Sequence, residues 1–135
     1  MAFKLSKSEE KQRQDFIETL RTKQEELQAK QEEFQNETDP EAKEKARQQI
    51  TVILAEILVA IEETETFRDE IATRLRDEYD EKSEKWQESD KASEVDSMIS
   101  DWENASFEEP ELENPETMEL EDYAGMLEEL PDSVD

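Results

Sequence analysis

A chain of 135 residues with 41 carboxylates, 16 basic side chains and a net charge of −25 has one domain's worth of length and a small core, since only 33% of it is hydrophobic. It has no cysteine and no histidine, which excludes disulfides, thiolate chemistry and every mechanism that needs an imidazole. One glycine, three asparagines and the lack of proline between Pro40 and Pro110 leave too few turn formers for an all-β fold, while the abundance of Ala, Glu, Lys, Leu, Arg and Gln suits long helices.

The first residues, MAFKLSKSEE, hold no apolar core that would serve as a secretion signal. Ser6 and Glu9 have the S-x-x-E spacing of a capping box, and nothing breaks a helix from there to about Asn36. Its apolar residues are sparse: Phe16, Ile17, Leu20, Leu27 and Phe34. Leu20, Leu27 and Phe34 recur at steps of seven, with Gln24 and Gln31 at the alternate seam positions. So narrow a stripe needs a partner helix.

Gln35 to Thr38 reads as a short turn. Asp39 is a good cap, Pro40 suits a first helical position, and Glu41 favours the positive helix end. A second helix is predicted from Pro40 to about Glu88, giving a helical hairpin. Its seam is Ile50, Leu54, Ile57, Ile61, Ile71, Leu75, Tyr79 and Trp86. Between Ile50 and Ile61 the apolar residues spill onto Val52, Ile53, Leu58 and Val59, so more than one face must be covered. Either a third helix folds back or two copies associate. The weaker seam at Thr64 to Thr66 marks a place for a bend. As a helix, the twelve residues Ile50 to Ile61 rise only about 18 Å, short of the ~30 Å bilayer core, and they include Glu56. The expectation is a protein with no membrane span, in a reducing compartment such as the cytoplasm.

Ser93 to Asp96 reads as the start of a third helix, whose face Val95, Met98, Ile99 and Trp102 is expected to pack on Phe67, Ile71, Leu75 and Tyr79. Beyond Ser106, FEEPELENPE reads as an extended, mobile acidic linker. Asn114 then caps, Pro115 starts and Glu116 follows in a last helix bearing Leu120, Tyr123, Leu127 and Leu130, with Met118 and Met126 alongside and Pro131 ending it. Gly125 costs that helix roughly 1 kcal/mol, and so short a segment folds when it docks. The predicted fold is all-α: a long antiparallel helical hairpin, a short third helix and an acidic C-terminal arm ending in an amphipathic helix. The expected division is a helical domain over 1–106 and a linker with docking helix over 107–135.

Charge carries the functional reading. Residues Trp86 to Asp135 hold eighteen carboxylates against Lys91 alone, a net of −17. Such a field repels nucleic acid and anionic lipid and attracts basic surfaces. Glu62, Glu63, Glu65, Asp69 and Glu70 form a dense cluster, and Asp77, Glu78, Asp80 and Glu81 extend it along the same helix. Two readings compete: a solvated helix face, or carboxylates standing in for phosphates in a groove built for nucleic acid. The pairs Glu62/Glu65, Asp77/Asp80 and Glu78/Glu81 also suit magnesium. All-helical nucleotide pyrophosphatases use E-x-x-E and E-x-x-D pairs in that way, but no nucleotide pocket is identifiable and such pairs arise by chance in so acidic a chain.

Tyr79, Trp86, Trp102 and Phe107 read as core aromatics. Lys4, Lys7, Lys11 and Arg13 are too diluted by Glu and Gln to bind nucleic acid directly. Leu120, Tyr123, Leu127 and Leu130 read as apolar anchors for a partner's groove. In this overall character the chain resembles small acidic phage or mobile-element proteins that inhibit nucleic-acid-binding host enzymes, and the resemblance implies a nucleic-acid mimic. The leading expectation is a non-enzymatic inhibitor or regulator of a basic DNA- or RNA-binding protein, without catalytic residues, metal or cofactor. A coiled-coil scaffold that self-associates through residues 50–61, as a homodimer, is the alternative. A magnesium-dependent nucleotide hydrolase is a third reading.

Overall fold

The computed structural model describes residues 3–134. The chain is mostly helical. In order come β1 (Phe3–Lys4), α1 (Lys7–Asn36), α2 (Pro40–Asp80), α3 (Glu84–Gln87), α4 (Asp90–Asn104), α5 (Tyr123–Glu128) and β2 (Ser133–Val134).

The capping box forms as its spacing requires. Glu9 N–H donates to Ser6 Oγ at 3.1 Å, and Ser6 N–H donates to Glu9 Oε1 at 2.8 Å. In the turn after α1, Glu37 Oε1 accepts from the N–H groups of both Thr38 and Asp39, each at 3.0 Å. Asp39 then caps α2 by accepting from Ala42 N–H at 3.2 Å, with Pro40 in the first turn.

The two long helices pack against each other. Lys43 and Arg47 at the start of α2 lie over the Phe34 ring near the end of α1. Lys23 pairs with Glu56, and Phe16 meets Phe67 at 5.3 Å. Arg74 forks onto Glu9, Nε to Oε2 at 2.7 Å and Nη2 to Oε1 at 2.5 Å. The sparse stripe of α1 (Ile17, Leu20, Leu27 and Phe34) is buried against α2, where Ile50, Ile53, Leu54, Ile57 and Ile61 are buried too. Each such side chain contributes about 1.5–3 kcal/mol by leaving water.

A second face of α2 is covered by α4, whose Val95, Met98, Ile99 and Trp102 are buried as expected. Trp102 meets Phe67 edge-on at 6.1 Å and donates from its indole nitrogen to the Pro131 carbonyl at 2.8 Å. The termini close the structure: Phe3 pairs with Val134 and Lys4 with Ser133 in a short antiparallel ladder. Phe3 stacks on Trp86 at 5.4 Å, and Trp86 meets Tyr79 edge-on at 5.5 Å.

Three predicted boundaries are corrected. The second helix stops at Asp80 rather than Glu88; Ser83 accepts from Trp86 N–H at 3.2 Å and starts the one-turn α3. The next helix begins at Asp90 rather than at Ser93, because Ser89 accepts from Ala92 N–H and takes the cap. The last helix spans only Tyr123–Glu128. Asn114 adopts the left-handed conformation (φ 49°) and Pro115 to Thr117 form a turn, so helix starts only where Asp122 accepts from Gly125 N–H at 3.0 Å. Thr64 is buried and donates to the Ala60 carbonyl at 2.7 Å, which satisfies its hydroxyl inside the helix.

Candidate functional site

The site follows from how the two signs of charge are distributed. All six arginines take part in ion pairs, and most of those pairs join one element to another. Arg74 ties α2 to Glu9 of α1, and also reaches Glu78 at 3.0 Å and the Lys4 carbonyl at 3.2 Å. Arg76 ties α2 to Asp96 and Glu103 of α4, at 2.9 and 2.8 Å. Arg13 donates to the Leu130 carbonyl at 2.8 Å, Arg68 donates to the Ala105 carbonyl, and Arg21 pairs with Glu128. The arginines are thus committed to pairs within the fold, while of the ten lysines only Lys23 and Lys30 have an ion-pair partner among the described residues. Only twelve of the 41 carboxylates are held in ion pairs among the described residues. The remainder set the outer field.

Of the nine acids singled out on the second helix, eight lie at the surface of α2 and Glu81 is the residue that caps its end. Glu62, Glu63, Asp69, Glu70, Asp77, Glu78, Asp80 and Glu81 are exposed and Glu65 is half-buried. The core residues Phe67, Ile71, Ala72 and Leu75 occupy the opposite side of the same turns. Asp69 and Glu78 are offset by Arg68 and Arg74, which leaves seven without an ion-pair partner among the described residues. These seven span about 28 Å of helix, one charge per about 4 Å. One strand of duplex DNA carries a charge every roughly 3.4 Å.

A tenth acid joins them from outside the helix. Glu109 faces Glu62 and Glu65, and its pKa is raised by desolvation, by a hydrogen bond with Glu62 and by both neighbouring charges. Sequence spacing held no signal for this approach, because Glu109 lies far along the chain. Among the described residues no group of three or more acids is arranged to hold a metal ion.

The C-terminal residues are placed differently. Tyr123 and Leu127 are buried in the same core as α1, α2 and α4, together with Phe107; Leu120 and Leu130 are half-buried against it. The Tyr123 hydroxyl donates to the Glu108 carbonyl at 2.7 Å; burial, then the charges of Glu121, Glu108 and Glu109, push its pKa up. The apolar surface expected to anchor a partner is spent within the chain. The stretch before α5 lies along α1, fastened by neutral donors. Gln24 donates to the Glu121 carbonyl at 2.8 Å. Gln31 donates to the Pro115 and Met118 carbonyls at 3.0 and 2.9 Å, and Gln35 to the Glu116 carbonyl at 3.3 Å. The glutamines at the seam of α1 are the signal that could have placed this segment, since each carries two donors beside an apolar stripe.

One further feature is uncovered. Val52 and Val59, on the outward side of α2, are 57% and 53% exposed. They were part of the apolar spill that called for a cover, and neither α4 nor the C-terminal segment supplies one to them. Compared with known proteins, the chain matches no family model, no curated protein and no solved structure.

Proposed function

We propose that this chain is a non-enzymatic binding protein that engages the basic surface of a nucleic-acid-binding protein, an inhibitor or regulator whose carboxylates stand where phosphates would. In this reading a long antiparallel hairpin is the rigid frame, and the acidic segment fastened to it adds to the field. One observation carries the proposal: the arginines are engaged as fasteners within the fold while a line of acids with no ion-pair partner among the described residues runs along α2. The linear charge density of that line approaches that of a nucleic-acid strand. A helix holds its carboxylates at fixed spacing, so little ordering entropy is lost when a basic groove closes over it.

The exposed valines favour a second reading, self-association through residues 50–61. Most of that segment's apolar surface is already buried within the chain, however, with Val52, Val59 and the small Ala55 left exposed. Two copies at −25 each also repel.

The test uses the full chain immobilised and challenged with a cell lysate at low salt. The expected result is retention of proteins that bind DNA or RNA, released by moderate salt and by added duplex DNA. Glu62→Gln, Glu63→Gln, Glu70→Gln and Asp77→Asn combined should abolish the retention. Retention indifferent to salt, to duplex and to these substitutions would sink the proposal.

A further inference from the structure

We infer that the outward face of α2 between Val52 and Thr73 is a docking seam for a basic amphipathic helix of the partner, laid along α2 in coiled-coil fashion. This rests on the reading above and specifies the element that meets the acids. Val52, Val59, Thr66 and Thr73 recur at steps of seven, and all four are exposed. A sevenfold step keeps a stripe facing one neighbouring helix. Thr66 donates its hydroxyl to the Glu62 carbonyl of its own helix at 3.2 Å, which leaves its methyl as the outward group. Ala55, also exposed, lies between the two valines on the same side. The line is therefore β-branched and apolar at one end and semi-polar at the other, and no element among the described residues covers it.

Its flanks select the occupant. Glu62, Glu63, Asp69, Glu70 and Asp77 border the line, and of these only Asp69 has a cation beside it. Carboxylates offer acceptors alone, so a covering helix must bring donors. A helix with apolar residues at its seam and Lys or Arg on both sides matches the valines and the acids at once. The chain contains the mirror image of this pairing: its own acidic C-terminal segment lies on α1 beside Leu20 and Leu27, held by Arg13, Arg21, Gln24 and Gln31. A second copy of the chain fails the charge criterion, because it would bring carboxylates to carboxylates.

Three synthetic peptides and the full-length chain test this by calorimetry. The first is a helix with isoleucine at steps of seven flanked by lysine and arginine. The second has the same composition with the seam scrambled. The third keeps the seam and replaces the cations by glutamine. The first should bind at least tenfold more tightly than either control, and Val52→Gln with Val59→Gln should remove that advantage. Both positions are exposed and glutamine is the better helix former, so the fold is kept. Equal binding of the first two peptides overturns the seam but leaves the charge-driven function standing. Equal binding of the first and third overturns the charge basis of both. No binding of the first overturns the seam, as does sedimentation showing a dimer that the valine substitutions dissociate.

Discussion

The face of α1 from Arg13 to Gln35 and the outward face of α2 from Val52 to Glu81 are both polar helix surfaces with sparse apolar residues. The first is covered and the second is bare. On α1 the polar groups beside the stripe are donors: Arg13, Arg21, Gln24, Gln31 and Gln35 all reach the C-terminal segment, four of them through its backbone carbonyls. On α2 the polar groups one turn beyond Val52 and Val59 are carboxylates, Glu56, Glu62 and Glu63, and only Gln48 and Gln49, before Val52, are amides. An acidic segment that must settle somewhere settles where donors await it and where its own charge meets least repulsion. The contrast teaches that the type of polar flank, more than the apolar area, decides which seam the chain closes for itself.

Removing apolar contact on each side tests this most severely. Leu127→Ala takes a fully buried side chain from the covered side and should cost about 2–5 kcal/mol in urea unfolding. Val59→Ala takes an exposed one from the bare side and should stay within about 0.5 kcal/mol, with any gain coming from alanine's better helix propensity. A near-neutral Leu127→Ala would mean that the C-terminal segment is no part of the core.

Converting one flank into the other comes next in size. Gln31→Glu replaces the donor that serves the Pro115 and Met118 carbonyls with an acceptor, close to the acids of the same segment. Two carbonyls lose their partner, and the expected cost is about 2 kcal/mol. Limited proteolysis should then cut within residues 107–122 faster than in the parent. If cleavage there does not change, the glutamines are bystanders.

Much of the helical frame was legible in the sequence because its signals are local. Ser6 with Glu9, and Asp39 with Pro40, mark their helix starts by spacing alone, and both formed. Ser83 and Ser89 were missed because an uninterrupted apolar seam outweighed two serines that each cap a new helix. The C-terminal segment was misread for a physical reason. Its Leu and Tyr spacing suits a helix of about fifteen residues, yet the carbonyls of Pro115, Glu116, Met118 and Glu121 are taken by glutamines from α1, a contact invisible to periodicity. Gly125 read as a liability, and in the fold it admits the Asp122 cap: a Cβ there would stand 2.3 Å from Asp122 Oδ2. The acids of α2 were found from the sequence, whereas Glu109 beside them was not.

The smallest effects separate the two faces by pH. Glu9 belongs to the fastened side. Burial alone would raise its pKa, but the Arg74 fork, with help from Ser6, holds it below the ordinary carboxylate value. A lowered pKa supplies stability that is present above the unfolded value and lost as pH falls through the folded one. Glu9→Gln keeps the capping box and loses the charge, so it should cost about 1 kcal/mol at neutral pH for this partly exposed pair. That deficit should close as pH falls below the ordinary carboxylate value. Glu109 belongs to the bare side, and its pKa is shifted the other way, by desolvation and by Glu62 and Glu65. A raised pKa supplies stability that is present below the unfolded value and lost as pH rises through the folded one. Glu109→Gln should therefore be more stable than the parent at neutral pH. As pH falls, the two should begin to converge above the ordinary carboxylate value and coincide once pH is below it, which is where the Glu9→Gln deficit only begins to close. Urea midpoints of the three proteins across the acidic range read both convergences. A Glu109→Gln variant less stable than the parent at neutral pH would show that the acids of α2 are screened from one another, and a surface so screened would lose its pull on a basic partner.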